Sequence, residues 1–204
     1  MAITPETRDY RTFEVRAIAP GDENGQPSYH VEGYAAKFNE VTVLYVYDDI
    51  QYKEVIDPNA FAGAEMRDVV MNFNHGGKPV ARTRNNTLTL TVDTIGLRIR
   101  ADLGGTEEGR RLYEEIRGGY IDKMSFAFTV NKSEYDRAAH LRRITGFQRI
   151  FDVAAVDFPA YDGTQIAARS WAQAEAEREH AEAERLRRKL AIKLKINGGS
   201  ENGN

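Results

Sequence analysis

The 204-residue chain balances 28 Lys and Arg against 31 Asp and Glu, a net charge of −3, so no general attraction to nucleic acid or to an anionic membrane is expected. At 41% hydrophobic residues it can bury a sizeable core. It has no cysteine, which excludes disulfides, a thiol nucleophile and a thiolate zinc site.

Met1 to Arg8 lacks the apolar segment of a signal peptide. No apolar run approaches the ~20 residues that cross a bilayer. The expectation is a soluble protein made in the cytoplasm, with residues 1–9 as a lead-in. Thr12 to Ile18 alternates apolar and polar residues, as a half-buried strand does. Pro20 to Pro27 is turn-rich. His30 to Asn39 reads as a second strand, in which Gly33 marks a bulge or a close backbone approach. Val41 to Tyr47 is β-branched and aromatic and reads as extended. Asp57 and Pro58 form a helix-start signal, which predicts a short helix from Pro58 to about Ala64.

Asp68 to His75 reads as a strand with Val69, Met71, Phe73 and His75 on one face, stopped by Gly76 and Gly77. Thr87–Val92 and Gly96–Leu103 alternate cleanly around a three-residue link and predict an antiparallel hairpin. Thr106 caps a helix that has Glu107 and Glu108 at its positive end and stops at Gly118. A strand follows in which Met124, Phe126, Phe128 and Val130 face one way and Ser125, Ala127 and Thr129 the other, with space expected in front of the serine hydroxyl. Lys132–Ala139 reads as a polar hairpin loop, Leu141–Phe147 and Arg149–Val156 as two extended segments, and Asp157–Thr164 as a proline-stopped loop.

These elements predict a mainly β domain with flanking helices over residues 10–167, built as a closed antiparallel β-barrel wrapped by short helices. Residues 168–196 form a charged helical arm, acidic first and basic after Arg185, with a thin stripe of Leu186, Leu190 and Leu194. The arm reads either as a solvated helix or as a partner-binding one. Asn197 to Asn204 reads as a disordered tail.

Chemistry has few candidates. Metal-ligand spacings and glycine-rich phosphate loops are missing, so no metal or cofactor is expected. Of four histidines, His180 lies on the arm, His30 begins a strand and His140 follows a polar loop; His75 ends an apolar strand beside two glycines. A serine nucleophile needs a base and a group that orients it. Ser125 and His75 can supply the first two. Asp152 and Asp157 lie in an otherwise apolar stretch and can either pair with Arg149 or Arg143, or orient His75.

An ordered set of segments carries a resemblance. Gly33-Tyr34-Ala35-Ala36-Lys37-Phe38-Asn39 is followed by Glu54-Val55-Ile56-Asp57-Pro58-Asn59-Ala60-Phe61, Asn74-His75 and Ala81-Arg82-Thr83. Then come Gly96-Leu97, Ile116-Arg117-Gly118-Gly119, Met124-Ser125-Phe126-Ala127-Phe128, Asp152-Val153-Ala154-Ala155-Val156 and Pro159-Ala160-Tyr161. Over about residues 29–167 this order resembles the prohead (procapsid maturation) proteases of tailed bacteriophages, related in fold to the herpesvirus assembly proteases. The resemblance implies a serine endopeptidase with Ser125 as nucleophile, His75 as base and Asp152 as third member. Two positions depart from the family's pattern: Asp152-Val153-Ala154 stands where Glu-Val-Ser is usual, and Gly76 where an acidic residue follows Asn-His. In the herpesvirus relatives the third member is a histidine, which keeps His140 open beside Asp152 and Asp157. Arg82 could help hold an oxyanion loop. The implied substrates are the phage major capsid protein and scaffold protein, and the chain itself, within the procapsid in the host cytoplasm; a homo-oligomer is open, and neither nucleic acid nor membrane is a partner. The competing readings are an inactive assembly or scaffolding protein of the same fold, and a β-barrel binding module with chance Ser and His placement.

Overall fold

The computed structural model describes residues 9–18, 28–157 and 166–198. Residues 1–8 of the expected lead-in, the Pro20–Pro27 loop and most of the Asp157–Thr164 loop and of the tail lie outside these residues.

Ten strands and two α-helices make up the described chain. In order they are β1 (Asp9–Ala17), β2 (His30–Lys37), β3 (Thr42–Tyr47), β4 (Ile50–Ile56), β5 (Val70–Phe73), β6 (Gly76–Arg82), β7 (Leu88–Val92), β8 (Gly96–Asp102), α1 (Glu107–Arg117), β9 (Lys123–Asp136), β10 (Leu141–Val156) and α2 (Ile166–Gly198). The strands join in the order β3-β4-β10-β9-β1-β2-β8-β7, and β5 and β6 branch off β10.

The closed antiparallel barrel expected from the sequence is corrected to an open, curled half-barrel. The end strands β3 and β7 do not pair with each other among the described residues. The sheet is also mixed, because β10 runs parallel to both β4 and β5. Helices supply burial that a closing strand would otherwise give. Helix α1 sends Leu112, Tyr113 and Ile116 into the main core, beside Met124, Phe126, Phe128, Phe147 and Val153. Helix α2 lays Ala172 and Ala176 on Leu44 and Tyr52 in a second cluster near the β3 edge.

β1 changes partner along its length. Its first part pairs with β9, from Asp9↔Phe128 to Glu14↔Lys123, and its last three residues pair with β2. Gly33 sits at that corner because a Cβ there would lie 2.5 Å from the Glu14 carbonyl oxygen and 3.3 Å from the Met124 sulfur. The close approach expected from the sequence is therefore present.

Three local expectations change. Pro58 to Gly63 is a run of turns, not a helix; Ala60, Ala62 and Ala64 donate to carbonyls three residues back. The segment turns in order to bury Ala60 and Phe61, and Gly63 at φ +86° is incompatible with helix continuation. The two segments Leu141–Phe147 and Arg149–Val156 are one strand, β10, interrupted by register shifts and not by a turn. Its partner β9 runs on to Asp136, so the polar "loop" is mostly strand. In contrast, the β7–β8 hairpin and the α1 cap follow the sequence: Thr106 Oγ1 accepts a hydrogen bond from the Gly109 amide at 2.9 Å.

Gly33→Ala is expected to lower unfolding stability by ~1–3 kcal/mol, because the corner must open to admit a methyl group. Urea unfolding of the two proteins measures it; equal midpoints would mean that the corner yields freely.

Candidate active site

Three strands position the candidate residues. Ser125 lies on β9, opposite Ala154 of β10. Asp152 lies two residues earlier on β10, opposite Ala127, and so shares a sheet face with Ser125 as its diagonal neighbour, roughly 7–8 Å away. On the far side of β10, β5 pairs in parallel, Val70 with Asp152 and Asn72 with Ala154. Met124, Phe126 and Phe128 take the opposite face and fill the core.

The direction of Asp152 depends on a register shift. Ile150 pairs with Phe128, yet Asp152 pairs with Ala127, so one extra residue is inserted between them. Without it, Asp152 would share the core-facing side of Ile150, since residues two apart on a strand point the same way. The bulge turns the carboxylate onto the Ser125 face, a common use of bulges near functional sites.

His75 is brought in by a turn. Phe73 pairs with Gly76, leaving Asn74 and His75 as a two-residue loop with φ +49° and +56°. Left-handed conformations at both positions define the type I′ hairpin turn. The sequence pattern predicts His75 at a strand end; it is instead the second turn residue, a position that usually belongs to glycine. Asn74 holds the turn on β10: its amide donates to the Ala155 carbonyl at 2.9 Å, and its Oδ1 accepts from the Asp157 amide at 3.3 Å. From there the imidazole reaches back over Ala154. His75 Nδ1 lies 2.5 Å from Asp152 Oδ1, with both side chains only 8% exposed.

The structure thus brings His75 and Asp152 into contact and sets Ser125 on the same face. Ser125 is fully buried, at 0% exposure, and its Oγ is a buried oxygen with no hydrogen-bond partner among the described residues. The open space expected before the hydroxyl is therefore corrected. Small neighbours do flank it, but the site is covered. Nε2 of His75 is buried as well.

The other candidates lie apart from this contact. Asp157 is exposed, and its amide serves the Asn74 turn. His140 follows the β9 strand end and lies 3.0 Å from Glu179 of α2, with its ring 5.0 Å from that of Tyr52. The arginines do not pair with Asp152: Arg143 lies 3.7 Å from Asp57, and Arg149 stacks over Phe151. Arg82 makes a two-pronged bond to Asp68, at 2.7 and 2.8 Å. These two residues flank β5 and β6, so the pair clamps the base of the hairpin that carries His75. Sequence reasoning missed Asn72, which is buried on the site face across Ala154 from Ser125. A polar residue between Met71 and Phe73 was its signal. No group of residues suited to a metal ion occurs among the described residues.

Serine, histidine and carboxylate on one face is the constellation used for acyl transfer. A family model described as Caudovirus prohead serine protease matches residues 12–179, and the chain belongs to that family. A relative, the prohead protease of Enterobacteria phage HK97, is 29% identical over 143 residues, covering 67% of this chain and 58% of the relative. The chain thus spans less than two thirds of that relative's length. No solved structure matches.

The clamp has a pH signature. Arg82 holds the Asp68 carboxyl below the usual carboxylate range, chiefly through the hydrogen bonds it donates. Its contribution is therefore present above the unfolded aspartate value near ~4 and is lost as pH falls through the lower folded value. Amide exchange in β5 and β6 should quicken relative to β9 as the solution is acidified below pH ~4, and Asp68→Asn should remove that extra acid dependence. An unchanged acid response in Asp68→Asn would discount the clamp.

Proposed function

We propose that the chain is a serine endopeptidase that cleaves capsid and scaffold proteins, and itself, during maturation of a phage procapsid in the host cell. The observation that supports the reading is the short contact of His75 Nδ1 with Asp152 on the face that also bears Ser125.

In this mechanism the Asp152 carboxylate accepts the Nδ1–H hydrogen bond and so leaves the lone pair on Nε2. Nε2 takes the Ser125 proton as Oγ attacks the scissile carbonyl carbon. The imidazolium, stabilised by Asp152, gives that proton to the leaving amine, and the amine-side peptide departs. Water then attacks the Ser125 ester. Its proton passes through His75 back to Oγ, and the acid-side peptide is released. In this mechanism backbone N–H groups stabilise the oxyanion.

Asp152 is one methylene shorter than glutamate. The turn at Asn74-His75 lies directly over β10, which brings the imidazole within 2.5 Å of the shorter side chain. This supports Asp152 over Asp157 and His140 as the orienting residue.

Ser125→Ala and His75→Ala are each expected to lower kcat/KM by about ten-thousand-fold or more; Ser125→Ala should keep the wild-type unfolding midpoint, and His75→Ala should lower it, because Asp152 loses its partner in a buried site. Co-expression with the capsid protein of the same phage, read by mass spectrometry, checks this; processing by Ser125→Ala at the wild-type rate would overturn the mechanism.

Asp152→Asn keeps the shape but presents the wrong partner to Nδ1, and should lower kcat on the order of ten-thousand-fold. Asp157→Asn and His140→Ala should stay within a few-fold of wild type in the same assay. The reverse pattern would reassign the third member.

A further inference from the structure

Three adjacent strands set Ser125, Ala154 and Asn72 in one row. Ser125 of β9 pairs with Ala154 of β10, and Ala154 pairs with Asn72 of β5. Directly paired residues point to the same side, so Asn72 joins Ser125 on the site face, while its neighbour Met71 goes to the core. The row spans two strand spacings, about 10 Å from end to end. Asp152 lies one row away, opposite Val70. His75 lies beyond the other end of β5, so its imidazole must cross the row of Asn72, Ala154 and Ser125 to meet Asp152. Ala154 is the floor of that crossing. Ser125 stands on its β9 side and Asn72 on its β5 side.

Asn72 is costly to the fold. It is 7% exposed, and its Oδ1 is a buried oxygen with no hydrogen-bond partner among the described residues. A buried amide oxygen left unpaired forfeits the hydrogen bond that water gave it. An apolar side chain would avoid that loss, as Val70 does one row away. Such a group in a folded chain calls for a use other than packing. The use lies beside it. The contact with Asp152 fixes one end of the imidazole only, and a ring held at Nδ1 can still swing about that bond and carry Nε2 away from Ser125. On the β9 side Ser125 and Ala127 bound the swing, and on the β5 side the residue in the row is Asn72.

We propose that Asn72 is a positioning residue for His75. Its side-chain amide is the β5 wall against which the imidazole rests, and it keeps Nε2 directed along the row toward Ser125. It also answers the charge that appears in the reaction. When Nε2 takes the serine proton, the Asn72 oxygen turns toward the cationic ring and gives up no other bond to do so. This rests on the protease reading and adds one residue to its machinery. Asn72 acts through His75 and not on the substrate, so its loss lowers turnover and leaves substrate binding in place.

Full-length Asn72→Leu and Asn72→Ala proteins are compared with wild type on purified capsid protein of the same phage. Leucine keeps the branched shape and removes the amide, and alanine serves should leucine not fit. Each is expected to lower kcat by about ten- to a hundred-fold with KM within about threefold of wild type. The urea midpoint of Asn72→Leu should equal or exceed that of wild type, because an unpaired buried amide is gone. A second readout needs no turnover: the Nδ1–H proton of His75 in NMR, identified by its absence from His75→Ala. In Ser125→Ala protein this line should shift or broaden when Asn72→Leu is added. Wild-type kcat in both Asn72 variants, or a His75 line that neither moves nor broadens, would overturn the role of Asn72 and leave the protease reading standing. So would a lower midpoint in both variants with wild-type kcat per folded molecule, the mark of a purely structural residue. Equal processing by wild type and Ser125→Ala would overturn the protease reading, and the His75 line would then decide by itself whether Asn72 holds the ring.

Discussion

One inserted residue between Ile150 and Asp152 decides which side of the sheet a carboxylate occupies. On the core side Asp152 would be a buried, unpaired charge among aromatic rings, a costly position. On the other side it meets His75. Everything else about the site follows from holding β10 in that register: β9 presents Ser125 opposite Ala154, and β5 lies parallel on the far side with the Asn74-His75 turn at its end. The small side chain of Ala154 leaves the route from turn to carboxylate clear. Local backbone cost is accepted in return, since a histidine at φ +56° is uncommon outside such turns.

How legible was this from the chain itself? The alternation of Met124 to Val130 correctly separated the core face from the Ser125 face, because period two is a strong signal in a half-buried strand. The β7–β8 hairpin and α1 were equally clear, since their turn and cap residues act locally. What failed was non-local. Gly76-Gly77 reads as the stop, but Asn74 and His75 take the turn positions, with Asn74 held by the Ala155 carbonyl of β10 and by the Asp157 amide just beyond it. Pro58 looked like a helix start, but burial of Ala60 and Phe61 overrode it. No periodicity reveals whether a sheet closes, because that depends on strands far apart in sequence. The bulge at Phe151 left no signature, as a register shift depends on the partner strand.

The long helix illustrates the same limit. The sequence carries a leucine stripe, yet Leu186, Leu190 and Leu194 are more than half exposed. The sheet instead engages the earlier turns. Glu179 accepts hydrogen bonds from the Tyr52 and Tyr135 hydroxyls at 2.9 and 3.0 Å, and Arg142 lies over the Trp171 ring. Burial and the neighbouring Glu179 push the Tyr52 phenol up to about 12, so it remains a neutral donor at any physiological pH. Glu179 thus joins the helix to both β4 and β9, beside the packing of Ala172 and Ala176 on Tyr52.

The full burial of Ser125 sets a kinetic condition as well as a structural one. A peptide bond cannot reach an oxygen that has no exposed surface, so the proposed attack by Ser125 requires a conformation in which that oxygen is uncovered. Opening then joins the rate equation ahead of bond cleavage. In the proposed mechanism the fraction of time the oxygen is exposed would then scale the rate.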